Sequence, residues 1–284
     1  MRIKRQGKFL LLEEEKLSKR ILSYPGSKWR IAKQITRYIP EHHTYVEPYF
    51  GSGAVLFTKS PSAIETVNDL DDVVVNFFEC VRNRTEDLVW AVSTMPYSRT
   101  AYNEAYKKLW TYKDPLEGAV ALMVCCWQGH GTKLNNAAGW KADIQGREYA
   151  YTIRNWNNLP DIIRDTAARL KLVQIEHQSA LSIINKYDYK DVFMYIDPPY
   201  PLSVRSGEQY RYEMTEDDHE TLLKTICHST AKIMISSYNN ALYDDYLKKW
   251  NKLVFSSNTV AGAAREEVVW CNYAVEQDFQ MSLL

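Results

Sequence analysis

The feature that most restricts the fold of this chain is a series of seven short apolar segments, each shorter than an ordinary helix. Apolar runs of about four to eight residues bounded by turn residues are typical of buried strands. Patterns with helical periodicity lie between many of them, as at residues 29–38 and 73–82 and after the capping-box sequence that starts at Thr215. Strands that alternate with helices predict an α/β domain with a largely parallel sheet. The predicted strands are residues 45–49, 64–67, 172–175, 192–196, 232–236, 253–255 and 268–273.

The stretch from about Arg84 to Arg169 interrupts this alternation. It is rich in Trp, Tyr and Asn, and residues 129–140 carry strong turn chemistry. We therefore predict an inserted, mainly helical subdomain at residues 84–169 with an irregular hairpin. The core domain would then comprise residues 1–83 and 170–284.

Composition bounds the classes to which the chain can belong. Apolar residues make up 45% and charged residues 25%, which are ordinary globular values. No run approaches the roughly 18 apolar residues of a membrane span, and residues 9–12 are too few for the apolar core of a signal peptide. The five scattered cysteines form no Cys-x-x-Cys pair, which favours reduced thiols over a metal site. A cytoplasmic protein without membrane or metal binding is therefore expected.

Charge is unevenly distributed along a chain whose net charge is zero. Residues 1–37 carry eleven Lys or Arg against three Asp or Glu, whereas residues 188–284 carry nine against fifteen. Such segregation permits a basic face for phosphates on a neutral protein. An ordinary solvated surface is the alternative interpretation.

The most informative single segment is residues 192–200, in which five apolar or aromatic residues precede Asp197, Pro198, Pro199 and Tyr200. Proline removes the local N–H donors and fixes φ, so the carbonyls there stay free as acceptors. A carboxylate, the Pro198 carbonyl and the ring of Tyr200 together match the exocyclic amino group of a planar base. A turn that merely ends a strand is the alternative.

A glycine turn follows the first predicted strand, with Gly51 and Gly53 next to an apolar run. Glycines let a ligand approach the backbone closely, although an ordinary tight turn would look the same. Asp69 lies eighteen residues after Gly51, at the tip of the next strand, where a carboxylate can accept hydrogen bonds from ribose hydroxyls. Leu56 replaces the third glycine of a dinucleotide fingerprint, so a Rossmann dehydrogenase is disfavoured. Upstream, residues 24–28 combine an aromatic ring, a tight turn and one cation, which by themselves would suit any surface turn.

In this order the three motifs resemble those of the D12 class (Dam-like) DNA adenine N6-methyltransferases. The resemblance covers roughly residues 21–83 and 170–273, and it leaves the middle of the chain mostly unmatched. It extends to Arg205, Tyr212, Glu213, His219 and residues 236–239 and 265–270. It implies a seven-stranded, Rossmann-like S-adenosylmethionine-dependent methyltransferase sheet with an inserted target-recognition subdomain.

The resemblance also implies roles for individual residues. Tyr24 and Lys28 would contact S-adenosylmethionine, Lys28 near its anionic end. Gly51 and Gly53 would line its methionine side, and Asp69 would hold its ribose hydroxyls. The remaining roles concern the base. Asp197 and the Pro198 carbonyl would accept the N6 hydrogens of a flipped-out adenine, and Tyr200 would stack on that base. Asp197 would also border the cofactor.

Three features depart from the family pattern. Tyr49 stands where phenylalanine is usual, which adds a hydroxyl that needs a partner. His177, Gln178 and Ser179 follow the third strand, where the family often has an acidic residue for the adenine of the cofactor. The hairpin signature that accompanies GATC recognition is not visible either, so GATC is not assumed as the target.

Candidate DNA contacts lie in the insert and after the Asp-Pro-Pro-Tyr turn. Asn can bond adenine, and Lys or Arg can bond guanine or phosphate, but the same residues are common in solvated loops. Arg205 and Arg211 could hold the phosphates of a flipped nucleotide. The candidates in the insert are Lys133, Asn135, Asn136, Lys141 and Arg147.

The leading prediction is site-specific methylation of adenine N6 in double-stranded DNA. One alternative is another amino target, such as cytosine N4, RNA adenine or a glutamine side chain, in which Ser or Asn commonly replaces Asp197. Another alternative is a non-catalytic DNA-binding regulator with the same fold. The recognition sequence, a cognate restriction enzyme as partner, a phage or solitary setting and the oligomeric state are left open.

Overall fold

The structure is a computed structural model that describes residues 19–130, 139–144, 150–205, 207–258 and 264–275. It is built around one seven-stranded sheet, which confirms the predicted α/β architecture. The strands are β1 (Thr44–Glu47), β2 (Ile64–Asn68), β3 (Gln174–Glu176), β4 (Val192–Ile196), β5 (Lys232–Ser237), β6 (Asn251–Asn258) and β7 (Ala264–Cys271).

The order of the strands shows where the segments that follow them meet. They lie in the order β3-β2-β1-β4-β5-β7-β6, in which β1 to β5 are parallel and β7 is antiparallel to both neighbours. The chain direction across the sheet reverses between β1 and β4, and ligand crevices of such sheets lie at the carboxyl ends of the strands at this point. The segments that follow β1, β2 and β4 therefore meet there.

The central position of β4 in the sheet explains why its sequence is a continuous apolar run. All five of its residues are buried, and it pairs with β1 on one side and β5 on the other. A strand covered on both faces has no position at which a polar side chain reaches water, so it reads as a continuous apolar run.

The helices follow the predicted pattern with one exception. The predicted helix at residues 29–38 is only partly correct, because it consists of the short α1 and a 3₁₀ turn, Thr36–Tyr38. Ile39 adopts an extended backbone, as residues before a proline usually do, and this ends the helix at once. The described helices are α1 (Ala32–Ile35), α2 (Asp72–Asn83), α3 (Thr85–Thr94), α4 (Arg99–Lys108), α5 (Pro115–Gln128), α6 (Tyr151–Asn157), α7 (Leu159–Leu170), α8 (Ala180–Lys186), α9 (Glu216–Cys227) and α10 (Ala241–Tyr246).

Two of the predicted helix signals are confirmed. Residues 73–82 lie within α2, and α9 begins with a capping box in which the side chains of Thr215 and Asp218 each accept the backbone N–H of the other. Both helices pack apolar stripes inward, including Phe77 and Leu222.

Helices α3 to α7 fill the stretch between α2 and β3 that the sequence identifies as an insert. Helix α5 is buried along most of its length and packs between α2 and α4. One hydrophobic cluster contains Leu122 of α5 together with Phe193 of β4. These helices thus share a core with the sheet, and the division at residues 84 and 169 stays a prediction.

Further features concern cysteines, metals and membranes. All five cysteines are free thiols, and only Cys227 is exposed. Over the described ranges, no three His, Cys, Asp or Glu side chains lie together as metal ligands would. Among the helices of those ranges, none combines the length and apolar character needed to cross a bilayer.

A buried ion cluster fastens α7 to the sheet. Glu65 of β2 accepts a hydrogen bond of 2.6 Å from Lys59 Nζ and one of 2.7 Å from an Arg169 guanidinium nitrogen. Glu65 is 1% exposed and Arg169 5%, so neither charge can turn to water. Removing one partner of such a cluster leaves the others buried without a counter-charge.

Glu65→Ala should therefore lower the free energy of unfolding by about 3–5 kcal/mol. Urea unfolding followed by circular dichroism measures the change. The matched control is Glu86→Ala, which breaks an ion pair with Arg164 on the exposed surface and should change stability little. Equal losses in the two variants would show that the buried cluster has no special structural role.

Candidate active site

Segments after β1, β2 and β4 enclose a cavity of about 270 Å³ at the carboxyl edge of the sheet. The same cavity is bordered by the segment upstream of α1 and by the start of α8. A further segment, residues 210–214, covers it from the side that leads into α9. The lining includes residues 24–28, 47–52, 69–71, 179–181 and 210–214, together with Asp197 and Pro199. All three sequence motifs are thus brought together.

The glycine turn after β1 uses its two glycines differently. Gly51 (φ +51°) lines the cavity, and a Cβ there would lie 3.5 Å from the Tyr24 ring. Gly53 (φ +66°) does not line the cavity, and the rings of Phe50 and Phe57 would come within 2.5 Å of a Cβ at this position. Gly51 therefore lies at the cavity, where its contact with a cofactor stays a prediction, whereas Gly53 permits the packing behind the turn.

Asp69 connects the tip of β2 to this turn. Its Oδ2 accepts a hydrogen bond of 2.8 Å from the Gly51 N–H, and its Oδ1 accepts one of 2.9 Å from Asp71 N–H. Burial raises the pKa of Asp69 to about 6, although these backbone bonds favour the carboxylate. A carboxylate oxygen has two lone pairs and each Asp69 oxygen accepts one of these two bonds, so Asp69, which lines the cavity, can still accept bonds from a ligand.

The segment before α1 closes another side of the cavity. Gly26 (φ +65°) lies so close to the Tyr210 hydroxyl that a Cβ would be 2.1 Å from its oxygen. The hydroxyls of Ser27 and Ser52 are 2.8 Å apart, which joins this turn to the glycine turn. Tyr24 is 7% exposed and lies against Tyr210, with ring centroids 6.3 Å apart.

Lys28 and Asp197 form a buried ion pair at the base of the cavity. Lys28 Nζ lies 2.9 Å from Asp197 Oδ1, donates a 2.8 Å hydrogen bond to the Gly26 carbonyl and lies 3.9 Å from Glu267 Oε2. Burial alone would lower the pKa of Lys28, but the two carboxylates outweigh it and the net shift is upward. The ammonium is therefore charged and directed at Asp197, a contact that the sequence did not predict.

Asp197 is a partly buried carboxylate, with a side chain that is 18% exposed, and its pKa is elevated. Burial raises its pKa to about 6, and the Lys28 ammonium opposes this shift. Pro198 next to it is buried, while Pro199 lines the cavity. Asp197 is thus ionised at neutral pH in a site from which most water is excluded, which strengthens its interactions with any donor.

Tyr200 has a more enclosed environment than a free stacking surface would have. It is 7% exposed, and its hydroxyl donates a 2.6 Å hydrogen bond to Glu267 Oε2. The Tyr238 ring makes a T-shaped contact with it, with centroids 4.8 Å apart, and Lys28 Nζ lies 4.7 Å from its ring centre. Sequence reasoning assigned no role to Glu267 or Tyr238, although both lie in the blocks at residues 265–270 and 236–239 that matched the family.

The two arginines after the turn bind protein carboxylates in this structure. The Arg205 side chain is 4% exposed, donates a 2.6 Å hydrogen bond to the Tyr200 carbonyl and pairs with Glu213. Arg211 pairs with Asp72 and lies 5.2 Å from the centre of the Trp110 ring. They organise the segment that covers the cavity, and their contact with phosphates stays a prediction.

Of the DNA contacts predicted in the insert, the structure describes Lys141. Lys141 is partly buried, and its backbone N–H donates a 2.7 Å hydrogen bond to the Gln128 carbonyl. Lys133, Asn135, Asn136 and Arg147 lie outside the described residues.

The segment that follows β3 contributes neutral groups to the cavity. Ser179 to Leu181 line it, while His177 Nε2 lies 3.1 Å from the Leu70 carbonyl oxygen and the backbone of Gln178 bonds the Asn68 side chain. The acidic residue that the family often has here is absent from the sequence at residues 177–179.

Comparison with known proteins gives a consistent result. The model of the D12 class N6 adenine-specific DNA methyltransferases matches residues 24–260, which is most of the chain. Type II methyltransferase M.MjaIII of Methanocaldococcus jannaschii is 25% identical over 252 residues, or 78% of this chain and 85% of that protein. The DNA adenine methylase of Salmonella typhi is 21% identical over 84% of this chain and 86% of that protein. The DNA N-6-adenine-methyltransferase of Escherichia phage P1 is 32% identical over 69 residues, which are 24% of this chain and 9% of that protein.

Proposed function

Because the chain belongs to the family of D12 class N6 adenine-specific DNA methyltransferases, we propose that its cavity binds S-adenosylmethionine and that the pocket at Asp197 receives the target adenine. The observation that carries this proposal is that the Asp197 carboxylate lies at a cavity bordered by the glycine turn after β1 and by Asp69 after β2. The substrate is proposed to be an adenine flipped out of double-stranded DNA, since a stacked base cannot reach such a pocket.

The charge of the cavity suits this cofactor. S-adenosylmethionine carries a net positive charge, from its sulfonium and ammonium groups and one carboxylate. Among the described lining residues, six acidic side chains face two cations, Lys28 and Arg211, each of which is itself paired with a carboxylate. Burial raises the pKa of Glu47 to about 8, so this side chain is protonated at neutral pH and five acidic side chains supply the negative charge. The acidic lining residues are Glu47, Asp69, Asp71, Asp197, Glu213 and Asp218.

Roles for the cofactor-side residues follow from their positions. Asp69 would accept the ribose hydroxyls, and Gly51 would allow close approach to the methionine portion. Tyr24 would form part of the wall. Lys28 would act mainly on Asp197 rather than on the anionic end of the cofactor, because its ammonium is 2.9 Å from Asp197 and 2.8 Å from the Gly26 carbonyl.

The base-side residues would solve the main chemical difficulty. The lone pair of an adenine amino nitrogen is delocalised into the ring, so the nitrogen is a poor nucleophile. Asp197 and the Pro198 carbonyl would accept its two hydrogens and favour the pyramidal geometry needed for attack, which stabilises charge where it develops. When bound, S-adenosylmethionine supplies an electrophilic methyl group, whose bond to sulfur breaks with its electron pair on sulfur as the bond to nitrogen forms. The nitrogen then loses one proton to water.

Tyr200 would contact the base once an open face is available. Lys28 and Tyr238 both contact its ring, so a base that stacks there competes with these contacts. Stacking on an aromatic ring contributes about 1–3 kcal/mol per base, which offsets part of the cost of flipping.

The rate of methyl transfer should fall as the pH falls through about 6. Burial raises the pKa of Asp197 to about 6, and below it the protonated carboxyl loses the charge that favours the amino hydrogens. At saturating cofactor and DNA, kcat should decline about tenfold per pH unit below this point and be level above it to about pH 8. A kcat that is constant down to about pH 5, or that falls as the pH rises, would contradict the role given to Asp197.

The function is tested by expressing the chain in cells that lack DNA methylation and mapping N6-methyladenine by long-read sequencing. We expect methylated adenines within one recurring short sequence. Genomic DNA without N6-methyladenine, in cells that contain the folded protein, would contradict the proposal.

A further inference from the structure

Glu267 is a second carboxylate close to the Lys28 ammonium. It lies on β7, and its side chain is 13% exposed. Its Oε2 accepts the 2.6 Å hydrogen bond from the Tyr200 hydroxyl and lies 3.9 Å from Lys28 Nζ. The same nitrogen is 2.9 Å from Asp197 Oδ1. Lys28 therefore lies between two carboxylates and closer to Asp197.

This arrangement puts Lys28 in competition with a base that binds the same oxygen of Asp197. If the proposed function is correct, an amino hydrogen of adenine that binds Oδ1, which lies 2.9 Å from Lys28 Nζ, must displace the ammonium. Lys28 is 4% exposed, and a buried ammonium that loses its nearer counter-charge is destabilised unless another carboxylate takes its place. Glu267 is the nearest carboxylate that can replace Asp197, at a distance that a lysine side chain covers by a small change of its torsion angles.

We propose that Glu267 is a positioning residue of the methyl-transfer site, which holds Tyr200 by its hydroxyl and receives the Lys28 ammonium when the adenine amino group binds Asp197. The inference rests on the proposed function. Lys28 keeps a close counter-charge before and after base entry, and Asp197 is released for the base only when a base is present.

The charge of the group supports the same role. Two carboxylates and one ammonium leave a net negative charge next to the nitrogen that becomes positive as its bond to the methyl carbon forms. A fixed negative charge in a buried site favours that change. The charged and titratable groups that interact electrostatically with Asp197 include Lys28, Glu267, Tyr200, Tyr195, Glu47, Tyr210 and Tyr243.

The first test is Glu267→Gln, which keeps an acceptor for Tyr200 but removes the charge. Lys28 should then stay on Asp197, so kcat should fall at least about tenfold while the Kd for S-adenosylmethionine is unchanged. Because Glu267 raises the pKa of Asp197, its loss should also move the acid limb of kcat to lower pH. The matched control is Glu266→Gln, an exposed neighbour on the same strand, which should behave as wild type.

An unchanged kcat, an equal loss in Glu266→Gln, or an acid limb that does not move would each overturn the inference. These outcomes differ from failure of the proposed function, in which the wild type itself would transfer no methyl group to DNA.

A second test needs no substitution and so does not depend on the folding of a variant. A crystal structure of the wild type with target duplex and a non-reactive analogue of S-adenosylmethionine should show Lys28 Nζ within about 3 Å of Glu267, the usual length of a charge-assisted hydrogen bond. Asp197 should then contact the adenine amino group. Lys28 still bonded to Asp197 with the base in place would overturn the inference.

Discussion

Replacing Asp197 by alanine should reduce methyl transfer to DNA by about 10²- to 10³-fold or more, the loss typical of removing one preorganised stabilising group from an active site. Asp197 is the ionised acceptor at the cavity, and alanine leaves the amino hydrogens of adenine without it. The loss should appear in kcat, since no concentration of DNA or cofactor restores the missing acceptor. Single-turnover transfer of a labelled methyl group measures it.

The control for this variant is at the opposite end of the same strand. Asp191 precedes β4 and is exposed, so Asp191→Ala changes one carboxylate without touching the cavity and should keep wild-type kcat. Circular dichroism should show that Asp197→Ala is folded. A folded Asp197→Ala that retains full activity would rule out Asp197 as the acceptor.

The second large effect is expected at Asp69, on cofactor binding rather than on kcat. Asp69→Ala removes the acceptor of the Gly51 N–H and the proposed acceptor of the ribose hydroxyls. Hydrogen bonds to a charged group contribute about 1.5–3 kcal/mol each, so Kd for S-adenosylmethionine should rise at least roughly tenfold. Isothermal titration calorimetry measures this change, and kcat at saturating cofactor should recover most of its wild-type value.

Asp69→Asn gives the matched comparison. Its amide oxygen can still accept from the Gly51 N–H, while the bond from the Asp71 N–H and the negative charge are lost. Its Kd should lie between those of wild type and Asp69→Ala. A Kd equal to that of wild type in both variants would show that the ribose hydroxyls are held elsewhere.

Much of the fold could be predicted because its signals are local. Buried β4 reads as an unbroken apolar run, and the capping box of α9 is a pattern of four consecutive residues. Gly51 and Asp69 each lie directly after a strand, and parallel strands bring such residues to one edge without further information.

The contacts that complete the site could not be predicted because they join distant parts of the chain. Lys28 meets Asp197 across 169 positions, as the two residue numbers show. Glu267 reaches Tyr200 only because β7 returns antiparallel beside β5. The residues next to Lys28 or Glu267 in the sequence do not indicate which charged side chains will lie close to them in the fold.

The arginines illustrate a different limit. A guanidinium binds a carboxylate or a phosphate with the same paired geometry, so sequence alone cannot distinguish Arg205 as a DNA ligand from Arg205 as the partner of Glu213. The structure assigns it to Glu213 and to the Tyr200 carbonyl in the absence of DNA. Tyr200 likewise has a clear sequence signal, but its ring already contacts Lys28 and Tyr238.

The central claim is that the pocket at Asp197 methylates adenine at N6, and the identity of the product tests it most directly. Purified protein is incubated with S-adenosylmethionine labelled in its methyl group and with unmethylated duplex DNA, and the DNA is then digested to nucleosides. All label should elute as N6-methyldeoxyadenosine with wild type, and its rate of appearance should fall at least about 10²-fold with Asp197→Ala. Label in a methylated cytidine, or transfer to adenine by Asp197→Ala at the wild-type rate, would contradict it.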